Sequence, residues 1–347
     1  MNQIAYKTNY NWTNYPQIID LLARLNKSTT EKMEPAYQYL VKTLIGDVEE
    51  FIYQGVKTKT FNANNINYVL TGLNSITNLN VLPNNLRGIY GLALSSGEIQ
   101  INPRLSGSAT LTERERQRLY MFHELGHKVL KIYDSKISLD FNDTFYGTIM
   151  NKDPNFNNPS YQTKNPIVDY GWLLIEEALV QDMAEKFTYS SKNAPRPIKQ
   201  NRRDERVFGA YEFPTNYDYY GLFQPITIMF GKPLRGVGNL NDASDDKIMN
   251  DLLAKSLSGT FVNDVIAEYG VNSSLYKDLY DTLFCMGHIM NAKYASFGCP
   301  LENTRTTVEN NVSMINVVDQ LTKKNADYRP QIRYDAVKFI ESRTATK

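Results

Sequence analysis

Two histidines, His123 and His127, lie four residues apart in a stretch whose apolar residues recur at helical spacing. Thr112 and Glu115 precede the pair with the spacing of a capping box, which predicts a helix that begins close to Thr112. Residues four apart lie one turn above each other on an α-helix, so both imidazoles face the same side. Such a pair predicts a shared Zn²⁺ ion.

Histidine is rare in this chain, with three among 347 residues, so an H-E-x-x-H string like that at 123–127 is expected by chance on the order of 10⁻³ times. Two ordinary histidines on one helix face are the competing interpretation. Glu124 is offset around the helix, where it can accept a proton from a metal-activated water without binding the metal. Gly126 costs about 0.8–1 kcal/mol relative to Ala in a helix interior, which indicates close approach of another element.

A catalytic zinc site needs a third protein ligand. Glu176 and Glu177 lie on a second predicted helix, which begins at about Gly171. Neighbouring residues on a helix point about 100° apart, so only one of the two glutamates can face inward. Apolar residues flank the Glu177 face, which favours Glu177, and Glu176 stays the alternative. Gln181, one turn later, is placed to support a neighbouring ligand.

The chain resembles the zincin metallopeptidases, and among them the gluzincins, in residues 123–127 followed by residues 176–181 (E-E-A-L-V-Q). Family members often carry Asp four residues after the ligand glutamate, where this chain has Gln181. The resemblance implies a peptidase with one catalytic Zn²⁺ ion and Glu124 as general base. It implies these metal ligands: His123, His127 and Glu177.

Gluzincins often add a His or Tyr that donates to the tetrahedral oxyanion, and such a donor contributes roughly 3 kcal/mol. The resemblance makes His288 and Tyr220 the candidate donors, with Tyr219 as an alternative to Tyr220. An ordinary buried histidine is the competing interpretation of His288. The H-E-L-G-H string also resembles peptidases of the ImmA/IrrE type, which implies an alternative function as a regulatory peptidase with one protein target.

Residues 89–94 and 98–102, joined by a connection that contains Gly97, predict a β-hairpin. The resemblance makes 89–94 the sheet edge that borders the cleft and pairs with an extended peptide. Together with the helices, the hairpin predicts an α+β fold, helix-rich and zincin-like, with a small mixed sheet beside the active-site helix.

Ser28 and Glu31 also have capping-box spacing, and the periodicity that follows predicts one amphipathic helix over 28–55. We expect three regions along the chain. They are an N-terminal helical region (1–87), a catalytic core with the hairpin, the H-E-x-x-H helix and the Glu-ligand helix (88–190), and a mostly helical C-terminal lobe (191–347).

The charge balance, 38 basic against 37 acidic side chains, gives no reason to expect nucleic-acid binding. The basic segment 192–206 is interpreted as a solvated connector. No run approaches the ~20 apolar residues of a membrane span. The N-terminus lacks a secretory signal pattern, so we expect a cytoplasmic protein, with export by another route or a trimmed chain as alternatives.

The expected partner is a peptide or protein substrate, and no pattern indicates the oligomeric state. A catalytically inactive zinc-binding scaffold is the non-enzymatic alternative. An intact Glu124 argues against the scaffold, because a structural zinc site has no use for a base and usually closes its fourth position.

Overall fold

The computed structural model describes residues 7–83, 90–105, 111–136, 166–194 and 245–269, together with 283, 287 and 290. Within them a 3₁₀-helix spans Pro35–Leu40, and the α-helices are α1 (Pro16–Lys32), α2 (Val41–Lys57), α3 (Ile66–Asn74), α4 (Glu113–Leu130), α5 (Pro166–Ser191), α6 (Asp245–Leu257) and α7 (Phe261–Tyr269). The strands are β1 (Asn78–Val81), β2 (Gly91–Ala93) and β3 (Glu98–Ile101). The predicted α+β class, rich in helix with a small mixed sheet, is confirmed.

The three strands form one sheet in the order β1-β3-β2, with β1 parallel and β2 antiparallel to β3. Gly97, at φ +87°, provides the left-handed conformation of the turn between β2 and β3. Ile99 and Ile101 alternate with polar residues along β3 and are buried. The predicted hairpin is therefore confirmed, and β2 is the last strand of the sheet in the described part of the chain.

The prediction of one helix over 28–55 is wrong. Ser28 lies inside α1 and donates its hydroxyl to the Leu25 carbonyl at 3.2 Å, so it does not cap a helix. The chain leaves the helical conformation at Met33, whose ψ is 132°. Glu34 is extended as well, at ψ 143°, because the residue before a proline is disfavoured in the α region. Pro35 then begins the 3₁₀-helix, and α2 follows it.

Four phenylalanine rings form the centre of the core beneath α4. Phe51 from α2 lies 5.6 Å from Phe122 of α4 and 5.3 Å from Phe187 of α5, measured between ring centroids. Phe61 completes the cluster at 5.5 Å from Phe187. Edge-to-face aromatic packing of this kind adds about 0.5–1.5 kcal/mol per pair to area burial. Because Phe122 directly precedes His123, packing of Phe122 in the aromatic core fixes the rotation of α4 about its axis and so the direction in which its histidines point.

A polar network around Glu50 links the N-terminal segment to α2 and α5. The carboxylate accepts from the Tyr10 hydroxyl, from Gln54 Nε2 at 2.8 Å and from the Ser191 hydroxyl at 2.7 Å. Arg118 of α4 donates to Ser191 at 2.7 Å. Burial alone would raise the pKa of Glu50, but these hydrogen bonds outweigh it and hold that pKa below its usual range.

The described residues fall into two compact units. The first contains α1 to α4, the sheet and α5 from Val180 onward; the second contains the segment from Ile132, α5 up to Leu179, most of α6, and α7. The predicted three-region division stays a prediction. None of the described helices combines the length and apolar character needed to cross a bilayer.

Candidate metal centre

Helix α4 presents the histidine pair from its last two turns. Its N-terminus has the predicted capping box, with Thr112 Oγ1 accepting from the Glu115 amide at 3.2 Å and Glu115 Oε2 accepting from the Thr112 amide at 2.7 Å. The helix ends at Lys131, which adopts the left-handed conformation at φ +51°. Both ends of α4 are therefore defined, and residues 123–127 lie within regular helix.

The two imidazoles meet at their Nε2 atoms, which lie 3.2 Å apart, and the ring planes are inclined at 75°. His123 is buried and His127 is half-buried. Two nitrogens bound to one tetrahedral Zn²⁺ at roughly 2.0–2.1 Å each are separated by about 3.3 Å. The observed separation of the Nε2 atoms therefore suits two ligands of a single zinc ion.

A carboxylate from α5 completes the group. One Glu177 oxygen and one ring nitrogen from each of His123 and His127 all lie within 4.8 Å of one another. Within the described residues this is the one group of three or more His, Cys, Asp or Glu side chains that could hold a metal ion. Two imidazoles and a carboxylate are the ligand types that zinc takes in catalytic sites.

Glu176 points to a different partner, as adjacent residues on a helix must. Its Oε2 accepts a hydrogen bond from the backbone N–H of Tyr133 at 2.7 Å, in the segment after the end of α4. Burial, followed by the nearby charges of Asp169 and Asp134, raises the pKa of the Tyr133 phenol. Glu176 thus tethers the chain after α4, while Glu177 joins the histidine pair.

Gln181 lies one turn after Glu177 and is fully buried. Its Oε1 is 3.0 Å from His123 Nδ1, so the ring nitrogen donates and the amide oxygen accepts. A proton on Nδ1 leaves Nε2 as the nitrogen with a lone pair, and Nε2 is the atom that faces His127. The predicted supporting role of Gln181 toward a ligand therefore has the geometry it needs.

Gly126 permits the close approach of α5 to α4. A Cβ at this position would lie 2.8 Å from Val180 Cγ1 and 3.1 Å from Met183 Cε, both closer than ordinary contact. The expectation that another element packs closely against Gly126 is confirmed. Val180 directly precedes Gln181, so the close packing of α5 on α4 at Gly126 also places the Gln181 amide next to His123.

Glu124 is buried and lies against the edge of the sheet. A Cβ on Gly91 would lie 2.6 Å from Glu124 Oε1, so the absence of a side chain at 91 makes room for the carboxylate. The hairpin is held to α4 by Lys128, whose Nζ donates to the Leu94 carbonyl at 2.7 Å, and by the stacked rings of Tyr90 and Tyr120, 4.8 Å between centroids.

Three candidate residues lie outside the described part of the chain: His288, Tyr219 and Tyr220. Of the basic segment, Lys192 is described and forms an ion pair with Glu115 at 3.3 Å. Sequence reasoning missed the contact of Gly91 with Glu124, and it missed Glu185, which accepts from Gln181 Nε2 at 3.0 Å. Glu185 follows Gln181 by one helical turn, a spacing that could have singled it out, whereas no local pattern pairs Gly91 with Glu124.

Comparison of the chain with protein-family models, with curated proteins and with solved structures gives no match. Any functional assignment therefore depends on the chemistry of the site itself.

Proposed function

We propose that this protein is a zinc-dependent metallopeptidase of the zincin type. His123, His127 and Glu177 hold the metal, and Glu124 is the general base. The observation that carries the proposal is the 3.2 Å separation of the two Nε2 atoms with a Glu177 oxygen within 4.8 Å of both rings' ligand atoms. Three ligands leave a fourth position for solvent, as in catalytic rather than structural zinc sites.

The chemistry follows from the side chains around that position. A bound zinc ion supplies Lewis acidity, which activates a water molecule and polarises the scissile carbonyl. Glu124 takes one proton from the water as the water oxygen forms a bond to the carbonyl carbon. The carbon–nitrogen bond then breaks, and Glu124 delivers the proton to the leaving amine. His288 and Tyr220 stay the candidate donors to the oxyanion.

The position of β2 favours an extended peptide as the substrate. Gly91 in β2 contacts the Glu124 carboxylate, so a strand added alongside β2 would run close to the proposed base. An added strand gains affinity from main-chain hydrogen bonds, which read no particular side chain. This is the binding mode that the resemblance to gluzincins implies for residues 89–94.

Metal analysis combined with cleavage of a proteome-derived peptide library tests the proposal. The wild-type protein is expected to bind one zinc ion and to cleave, while Glu124→Gln keeps the zinc and loses about 10²–10⁴-fold in rate. Glu113→Gln, an exposed carboxylate in the first turn of the same helix, is the matched control and should change neither. A protein that binds zinc and cleaves nothing in the library would contradict a peptidase of general specificity and leave a zinc-binding scaffold or a peptidase dedicated to one protein target.

A further inference from the structure

A buried chain of polar groups runs away from the metal centre along α5. Gln181 Oε1 lies 3.0 Å from His123 Nδ1, and Gln181 Nε2 donates to Glu185 Oε1 at 3.0 Å. Gln181 has no exposed surface, and Glu185 is 8% exposed. Gln181 and Glu185 are one turn apart on the helix, so the local backbone sets their contact.

The amide of Gln181 can adopt two orientations that differ in hydrogen bonding, whereas a carboxylate at this position would present an acceptor in both. Both oxygens of a carboxylate accept hydrogen bonds, but an amide presents an acceptor on one side and a donor on the other. Rotation by 180° would turn the Gln181 NH₂ group toward His123. That orientation accepts no proton from Nδ1 and favours the tautomer with the proton on Nε2, the nitrogen that a metal would need.

A neighbouring acceptor resolves the ambiguity, and Glu185 Oε1 accepts from Gln181 Nε2 at 3.0 Å. The Glu185 carboxylate requires the NH₂ group of Gln181 on its side, which leaves Oε1 for His123. Burial makes the preference strong, since an amide turned the wrong way would place two acceptors against each other away from water.

We propose that Glu185 is a positioning residue: it orients the Gln181 amide and thereby selects the His123 tautomer in which Nε2 carries the lone pair that a metal would bind. The purpose of this selection rests on the proposed zinc site. The selection itself is a property of the metal-free protein and is measured there. Partners of this kind around a ligand histidine typically change metal affinity by 10–100-fold.

The direct test is the tautomer of His123 in zinc-free, ¹⁵N-histidine-labelled protein at pH 8, from long-range ¹H–¹⁵N spectra. The wild type is expected to carry the proton on Nδ1. Glu185→Gln is expected to give a mixture of tautomers, because the amide introduced at position 185 can donate as well as accept. Zinc affinity, measured by competition with a chelator, should fall about 10-fold in Glu185→Gln.

Exchanging the amide and the carboxylate between residues 181 and 185 should restore the wild-type tautomer of His123. In the double variant Gln181→Glu with Glu185→Gln, a carboxylate accepts from both His123 and the new amide, so Nδ1–H and zinc affinity should return. Glu50→Gln is the matched control, because Glu50 accepts from Gln54 one turn along α2 in the same way, without contacting His123. It should leave the His123 tautomer and zinc affinity unchanged.

An unchanged tautomer in folded Glu185→Gln would overturn the proposal. If that single variant does not fold, Glu185→Met, which removes the acceptor at similar volume, is measured instead: a mixture of tautomers supports the proposal, and a proton held on Nδ1 overturns it. Failure of the wild type to bind zinc would count against the proposed function alone, since the tautomers are measured without metal.

Discussion

Gly91 of β2 and Glu124 of α4 are in direct contact, with space at residue 91 for a hydrogen atom but not for a methyl group. A Cβ built there lies 2.6 Å from Glu124 Oε1 and 2.8 Å from its Cγ. The contact joins the strand proposed to bind substrate to the side chain proposed to move the proton. A change at residue 91 should therefore alter catalysis without touching a metal ligand.

Gly91→Ala is expected to displace the Glu124 carboxylate, because the end of a flexible side chain yields before the backbone does. Cleavage should fall about 10–100-fold, as misplacement of a catalytic group by about 1 Å does, while zinc affinity stays within a few-fold of wild type. Steady-state kinetics and chelator competition measure the two quantities. Leu92→Ala, on the opposite face of the same strand, is the control, and equal losses in both variants would contradict the argument.

Substitutions at the adjacent Glu176 and Glu177 of α5 should have different effects, one on folding stability and the other on zinc affinity. Glu177→Gln removes the anionic ligand and is expected to weaken zinc binding by at least about 100-fold, on the scale of a lost ligand and beyond that of its supporting groups. Glu176→Gln should keep the zinc and cost about 1 kcal/mol of folding free energy, because its carboxylate accepts from the Tyr133 amide. Zinc titration and urea unfolding of both variants test this, and the reverse pattern would reassign the third ligand to Glu176.

In Gly126→Ala, a gain in helix propensity opposes a loss in packing. Alanine favours the helix by about 1 kcal/mol, but the new methyl would lie 2.8 Å from Val180 Cγ1, and overpacking of a core costs roughly 1–3 kcal/mol. We expect a net loss of stability in the single variant. Adding Val180→Ala removes the opposing methyl groups and should recover part of the loss. A double-mutant cycle by chemical denaturation measures the coupling, and additive effects would show that the two residues do not compete for space.

Glu50→Gln should reveal a pH-dependent contribution to stability. The pKa of Glu50 is lower in the folded chain than in the unfolded chain, so its stabilisation is present above the unfolded pKa of about 4.3 and is lost as pH falls through the folded pKa. We expect a loss of about 1 kcal/mol at pH 7, moderated by solvent screening, that becomes smaller toward pH 3. Urea unfolding at both pH values measures it, with Glu113→Gln as an exposed control. A loss of the same size at both pH values would contradict the assigned ionisation.

Apart from the close approach at Gly126, the features that the sequence predicted correctly are those in which the interacting residues are close along the chain. The capping box of α4 spans three residues, the histidine pair spans one helical turn, and the hairpin turn depends on Gly97 at positive φ. Backbone geometry alone brings such residues together. The prediction of one helix over 28–55 was wrong although its residues are also close along the chain, because Met33 and Glu34 are both extended, and Pro35 disfavours the helical conformation at Glu34.

Contacts between distant parts of the chain were decided by tertiary packing. The pairing of Gly91 with Glu124 and the separate partners of Glu176 and Glu177 depend on how the hairpin and α5 lie along α4. That arrangement follows from the core around Phe122 and the close approach at Gly126, where side-chain volumes and not local periodicity determine the fit. The amino-acid sequence thus determined which chemical groups α4 presents and on which side, because helical spacing requires it. Only the folded structure determined which glutamate, amide and strand those groups meet, because that depends on packing between elements remote in sequence.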